Sequence, residues 1–285
     1  MSKKHILLLF KLASFFIFLG RGFEHIIWDA PFRSLLWDQD LLSPIIENIF
    51  NTKWQVYATS LRTDSIINSC VKANGIFYLI CAILSLTLTK TSSKLHKGIL
   101  YTGGVFLVLL SLLITKSKFY HIVMFFEHSI QFATPFAMLY FLKTNDLKKL
   151  LLILKILIAL TFVSHGMYAV GIFYPLPGNF VSMTLNILPV TEDIAKQFLF
   201  AAGILDFLVA LLIFIPKTVR PALIYAAIWG FLTAFARIIS GLKYGVNLDI
   251  IMQYLHTTIY RMPHGLIPLI AYIILKQCTN SKKTT

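Results

Sequence analysis

The chain has 285 residues, 57% of them hydrophobic and only 13% charged, with a mean hydropathy of +0.76. Soluble domains carry about 25% charged residues, so this composition excludes a soluble enzyme, a disordered tail and a disulfide-stapled secreted module. The net charge of +14 would suit a nucleic-acid binder, but the positive residues sit in short segments between apolar runs. That is the pattern of membrane topology and contact with anionic lipid, and no nucleic-acid partner is expected.

The first apolar run, Leu7 to Gly20, is interrupted by Lys11 and followed by no small-x-small cleavage site, so it reads as a span and not a signal peptide. In the 21–70 connection the apolar clusters are too short to cross a bilayer. This segment holds three of the four tryptophans, Trp28, Trp37 and Trp54, and Ser43-Pro44 reads as an N-cap followed by the first helical residue. Short amphipathic helices at the outer interface are expected, with the tryptophans as an aromatic belt; the alternative is a lid over a pocket. Further apolar runs fall near 72–89, 99–115, 122–142, 151–173, 198–215, 222–240 and 253–275. Thr63 and Thr191, with acids in the first turn, read as N-caps. The expectation is an all-α polytopic membrane protein of eight spans.

Alternate connections are basic. Lys3 and Lys4 precede the first span, and Lys90, Lys94 and Lys97 follow the second. Lys143, Lys148 and Lys149 follow the fourth, and Lys217 and Arg220 the sixth. Lys276, Lys282 and Lys283 close the chain. The 21–70 connection instead carries six acids and four bases, the 174–197 connection holds Glu192, Asp193 and Lys196, and only Lys116 and Lys118 dissent. Both termini are therefore expected in the cytoplasm. Cys70, Cys81 and Cys278 contain no CxxC pair. Cys70 and Cys81 are separated by about 16 Å of helical rise and Cys278 falls at the opposite face, so no disulfide is expected.

The chain repeats internally. Thr63-Asp-Ser-Ile and Thr191-Glu-Asp-Ile lie 128 positions apart, as do Gly75-Ile-Phe-Tyr-Leu and Gly203-Ile-Leu-Asp-Phe, and His128 to Pro135 and His256 to Pro263. Over 63–84 against 191–212, seven of 22 positions are identical. The first helices align at another offset, Gly22 with Gly166. Two four-helix units are expected, 1–145 and 146–285, related by an axis along the membrane normal because an even number of spans returns each unit to the same side.

The second unit, with Ser164-His-Gly-Met-Tyr-Ala, Phe173-Tyr-Pro-Leu-Pro-Gly178, Gly203-Ile-Leu-Asp206 and Tyr260-Arg-Met-Pro-His-Gly265, resembles the DoxX-like family of bacterial membrane proteins. The first unit, with Leu19-Gly-Arg-Gly-Phe-Glu-His25, resembles a diverged copy; the usual member has one unit where this chain has two. The resemblance implies a four-helix membrane bundle, a bacterial inner-membrane location and an association with redox or quinone-linked systems. It implies no catalytic set.

Charged side chains at mid-bilayer cost roughly 2.5–3.5 kcal/mol on insertion scales, so each needs a partner, water or a function. Glu127 and His128 fall in the fourth span, Asp206 in the sixth, Arg237 in the seventh, and His256, Tyr260, Arg261 and His264 in the eighth. His25 and His165 lie at the outer ends of the first and fifth. His121, His128 and Gln131 share one helical stripe, and His256, Tyr260 and His264 share another. Pro135 and Pro263 are expected to kink the helices beside these clusters. The implied feature is a polar cavity open to the outer side, at or near the interface of the two units. Arg261 and Asp206 would anchor the head of a small amphipathic ligand, a quinone or lipid, with His128, His256 and His264 in support and aromatic side chains around its body. The rivals are structural pairing of Asp206 and Glu127 with Arg261 or Arg237, haem or metal ligation by His128 and His256 facing each other across the axis, and transport through the interface. The functional expectation is an accessory, redox-associated membrane subunit. A membrane oxidoreductase or b-type cytochrome and a structural subunit of a membrane complex are the alternatives. No catalytic residue and no metal ligand is assigned.

Overall fold

A computed structural model describes residues 3–144 and 146–281; the boundary residue Asn145 and the tail lysines Lys282 and Lys283 lie outside the described residues. All ordered elements among the described residues are α-helices. The chain opens with α1 (Lys3–Ile27), then three short helices, α2 (Arg33–Leu36), α3 (Gln39–Asn48) and α4 (Trp54–Thr59), then α5 (Leu61–Thr87) and α6 (Lys94–Ser117). A broken pair follows, α7 (Ile122–Glu127) and α8 (Ser129–Lys143), then α9 (Leu147–Val170), the short α10 (Gly178–Ile187), α11 (Glu192–Leu212) and α12 (Val219–Leu242). A second broken pair, α13 (Leu248–Arg261) and α14 (Pro263–Ser281), closes the fold.

Seven helical segments among the described residues are long and apolar enough to cross a membrane: α1, α5, α6, α9, α11, α12 and the joined α13–α14. The protein is a multi-pass, all-α membrane protein. The fourth expected span does not count as one continuous helix because α7 and α8 divide at His128. The expected kink at Pro135 is displaced seven residues upstream, and the cause is local. His128 Nδ1 donates to the Met124 carbonyl, 2.8 Å away, and the His128 amide bonds Phe125 instead. The ring thus takes the carbonyl that the amide would use in a continuous helix. The second break does fall at its proline. Pro263 has no amide to offer Ile259, whose carbonyl accepts from Met262 instead, and α14 starts with Pro263 at its first position.

The long helices pack in a regular order. α1 lies along α5, and α9 along α11. α6 lies on α7–α8, and α12 on α13–α14. α1 also meets α13 and α14, while α9 meets α7 and α8, so each half lends its first helix to the other. Close approach is set by glycine. A Cβ on Gly22 would stand 3.0 Å from the Gly75 carbonyl, and one on Gly75 3.0 Å from the Gly22 carbonyl. Gly166 and Gly203 form the same reciprocal contact, at 2.9 and 3.0 Å. In lipid, where apolar burial gives helices no preference for one another, such backbone contact is a main source of attraction. The shared core runs through Phe10, Ile17 and Phe18 of α1, Tyr78 of α5, Ile130 and Met138 of α8, Leu154 and Ile158 of α9 and Ile270 and Ile274 of α14.

The 28–60 segment does form short helices, with different caps from those expected. α3 starts at Gln39, capped by the Asp38 carboxylate accepting from Leu41, and Pro44 sits inside the helix, so Ser43 is not its N-cap. Ser60, not Thr63, caps α5, its hydroxyl accepting from the Thr63 amide. Thr191 does occupy the N-cap of α11, with no side-chain bond. Side-chain pairs tie this segment to the bundle, Arg33 to Asp64 of α5 and Asp38 to Lys116 of α6, while Arg33 also pairs with Asp29 inside the segment. Trp28 and Trp37 are exposed, as a belt requires, but Trp54 is buried, with Tyr57 beside it.

Candidate functional site

Three groups of polar side chains occupy the bundle. The first surrounds Arg21, in the last two turns of α1. Its guanidinium donates to Glu24 Oε2 at 2.8 Å and Gln131 Oε1 at 2.7 Å, and stacks 3.9 Å from the centroid of the Tyr260 ring. Arg21 is 3% exposed, so the sequence reading missed the most deeply buried arginine of the chain. The signal was present in the sequence, an arginine directly after the long apolar run that ends at Gly20. Tyr260 therefore serves Arg21 as a cation–π partner, which suits a guanidinium held away from water. His25 and Tyr78 stand edge-on beside this group, and His256 stacks on Phe23.

The second group joins the halves. Glu127, ending α7, accepts from Arg261 Nη2 at 2.9 Å and lies 3.6 Å from His165 Nε2. Arg261 Nη1 also stands 3.3 Å from His165 Nε2. An acid from the first half is thus clasped by an arginine and a histidine of the second. Burial of such a pair is tolerable only when the partner and the remaining donors are supplied together. Arg261, expected to anchor a ligand head, pairs with Glu127 and is not among the residues that line the cavity in the second half. His128 adjoins this group but spends Nδ1 on Met124. His128 and His256 thus have different neighbours, which departs from the expected pairing across an axis. Among the described residues no three His, Cys, Asp or Glu side chains are placed to hold a metal.

The third group lines a cavity of about 270 Å³. Its walls come from α9, α10, α11, α12 and α14, all in the second half, and His165 in that wall also reaches Glu127 of the first half, so the cavity lies beside the interface and not across it. Most of the lining is apolar, including Phe162, Phe180, Phe198 and Leu232. Asp206, Arg237, His165 and His264 are the titratable residues in the wall. Asp206 and Arg237 form no salt bridge with each other among the described pairs. Arg237 donates instead to the Thr233 carbonyl one turn earlier on its own helix. Trp229 faces Asp206, yet Asp206 Oδ1 is buried with no hydrogen-bond partner. His264 Nδ1 stands 3.0 Å from the Arg261 carbonyl, and its Nε2 is buried and unpartnered. Unsatisfied buried polar atoms each cost about 1–3 kcal/mol, and of the seven among the described residues Asp206 Oδ1 and His264 Nε2 belong to the cavity wall.

The eight residues expected to share a site therefore divide. Asp206, Arg237 and His264 meet in the cavity, joined by His165. Glu127 and Arg261 pair between the halves, with His128 adjacent. Tyr260 serves Arg21, and His256 lies among Trp28, Phe23 and Tyr260. His121, expected on a stripe with His128, instead precedes α7 and packs its ring on Tyr174 and Tyr168.

A multi-pass helical membrane protein with a mostly apolar cavity bearing unsatisfied polar groups is the class these features define. Comparison with known proteins finds no matching family model, no matching curated protein and no matching solved structure.

Proposed function

We propose that the protein is a bacterial inner-membrane protein of two tandem DoxX-like four-helix units, with both termini cytoplasmic, that binds a small amphipathic ligand, a quinone or lipid, as an accessory, redox-associated subunit. The observation that carries the binding reading is the cavity. A mostly apolar wall with a few convergent polar groups is the usual composition of a small-molecule site. Arg237, Asp206 and His264 receive the ligand's head in this reading, with Phe180 and Phe198 against its body.

The two-unit reading is supported by the matching glycine contacts, Gly22 with Gly75 and Gly166 with Gly203, and by the parallel packing order of the helices. The joined α7–α8 then makes the eighth crossing. Under the repeat, Asp206 and Ala169 stand where the first unit has Tyr78 and His25. Those two larger side chains fill their site, both buried and in edge contact, while the second unit keeps its space open. The Glu127–Arg261 pair favours a structural role for that cluster alone.

Native mass spectrometry and solvent extraction of mildly purified protein test the proposal. A stoichiometric quinone or lipid is expected, present in Arg261→Lys and lost in Arg237→Gln. Protein that carries no bound species in any mild detergent would refute it.

A further inference from the structure

The cavity's outline and its unpartnered atoms say more about what it takes and by which route. Its roof is α10, which contributes Phe180, Met183, Thr184 and Ile187 and packs on both α11 and α12. Its side is the seam between α11 and α12, which meet far less closely than α11 meets α9 or α12 meets α14. Three residues on that seam, Phe198, Leu232 and Ile239, line the cavity and are also exposed on the outside of the bundle, at 43%, 56% and 48%. Exposed apolar side chains at membrane depth face acyl chains. The cavity thus opens sideways toward lipid. Its volume of about 270 Å³ falls just below the range of roughly 300–1,000 Å³ that encloses whole drug-sized ligands, so it holds a head group while a chain leaves by the seam.

The unpartnered atoms set the chemistry of that head. The Arg261 carbonyl can only accept, so His264 Nδ1 donates to it. In the neutral ring Nε2 is then an acceptor without a donor. A doubly protonated ring would be a buried cation beside Arg261, a costlier state. Asp206 Oδ1 needs a partner as well. Arg237 has donors beyond the one turned to Thr233. A hydroxyl answers these groups as an ether cannot: its one proton goes to His264 Nε2 or to Asp206 Oδ1, and its oxygen accepts from Arg237. An ether or ester oxygen can only accept and leaves the His264 ring unsatisfied.

We infer that the cavity takes a bilayer-dissolved lipid with a hydroxyl head, entering between α11 and α12 under the roof of α10. This rests on the binding reading above and specifies its ligand class and route. The test uses the full-length protein in phospholipid vesicles with two probes, a long-chain alkylphenol carrying a diazirine in its chain and the O-methyl ether of the same molecule. On irradiation the phenol is expected to label Phe198, Leu232 or Ile239, with at least tenfold less labelling by the ether. Leu232→Trp, which fills the seam from its lipid-exposed side, is expected to abolish phenol labelling while leaving the protein folded by its melting profile. His264→Phe is expected to bring phenol labelling down to the ether's level. Equal labelling by phenol and ether would overturn the hydroxyl inference and leave the cavity as a lipid site. Phenol labelling that survives Leu232→Trp would overturn the lateral route. Labelling of these residues no greater than of lipid-facing Leu109 on α6 would overturn both the inference and the binding proposal.

Discussion

Substituting Glu127 gives a direct measure of what joins the two halves. Its carboxylate lies 2.9 Å from Arg261 Nη2, and the two side chains are 6% and 13% exposed. Glu127→Gln removes the charge and leaves the Arg261 guanidinium buried beside a neutral amide and His165. Breaking a buried pair by removing one partner costs about 3–5 kcal/mol, because the other charge is left uncompensated, whereas replacing both partners together is close to neutral. An ordinary interhelical hydrogen bond in a membrane protein averages only about 0.6 kcal/mol. Magnitude therefore separates the two accounts. Unfolding in mixed micelles of rising dodecyl sulfate fraction, followed by tryptophan fluorescence, is expected to show that larger loss for Glu127→Gln and for Arg261→Gln. The Glu127→Leu, Arg261→Met double variant is expected to recover most of it. A Glu127→Gln protein within about 1 kcal/mol of the parent would show that the pair acts as an ordinary hydrogen bond. A double variant as unstable as the two single losses added together would refute the reasoning outright.

Gly230→Ala should destabilise severely, since its new Cβ would fall on the backbone of His264 and Gly265 and force α12 off α14. Gly98→Ala, with nothing within 4 Å, should be neutral or stabilising by about 0.5–1 kcal/mol; thermal melts in detergent compare them. The Lys116 ammonium and the Leu41 amide hold the Asp38 carboxyl below its usual range near 3.8. A carboxyl lowered on folding adds stability above the unfolded value and loses it as pH falls through the folded one. The stability difference between the parent and Asp38→Asn should therefore be constant above about pH 5 and shrink below pH 4; a difference flat to pH 2 would contradict this. In a background with Cys70 and Cys278 replaced by serine, a membrane-impermeant maleimide applied to intact cells should label Lys53→Cys, and should label Lys90→Cys only after permeabilisation. The reverse pattern would invert the proposed orientation.

How much of this was legible beforehand differs from feature to feature. The length and apolarity of the runs determined an all-α multi-pass protein, because a bilayer leaves every backbone amide to be satisfied within its own helix. The repeat aligned Gly75 with Gly203 and Gly22 with Gly166, but only the packed helices showed that Gly22 touches Gly75 and Gly166 touches Gly203, where a side chain would not fit. The improbability of charge at mid-span singled out Glu127, Asp206, Arg237, Arg261 and His264 as residues with something to do. It could not say with whom. Arg21 finds Gln131 on α8, and Glu127 finds Arg261 134 residues away, and no local periodicity encodes such distances. Nor does apolarity tell a lipid-facing leucine from a buried one, since acyl chains are as apolar as leucine itself. So the sequence alone determined that the chain crosses the membrane several times as helices and which side chains need partners. Tertiary packing decided that Glu127 and Arg261 satisfy each other, while Asp206, Arg237 and His264 are left around a space in the second half. The physical reason is that a buried charge acts over a few ångströms in three dimensions, and only the helix arrangement sets which charges come that close.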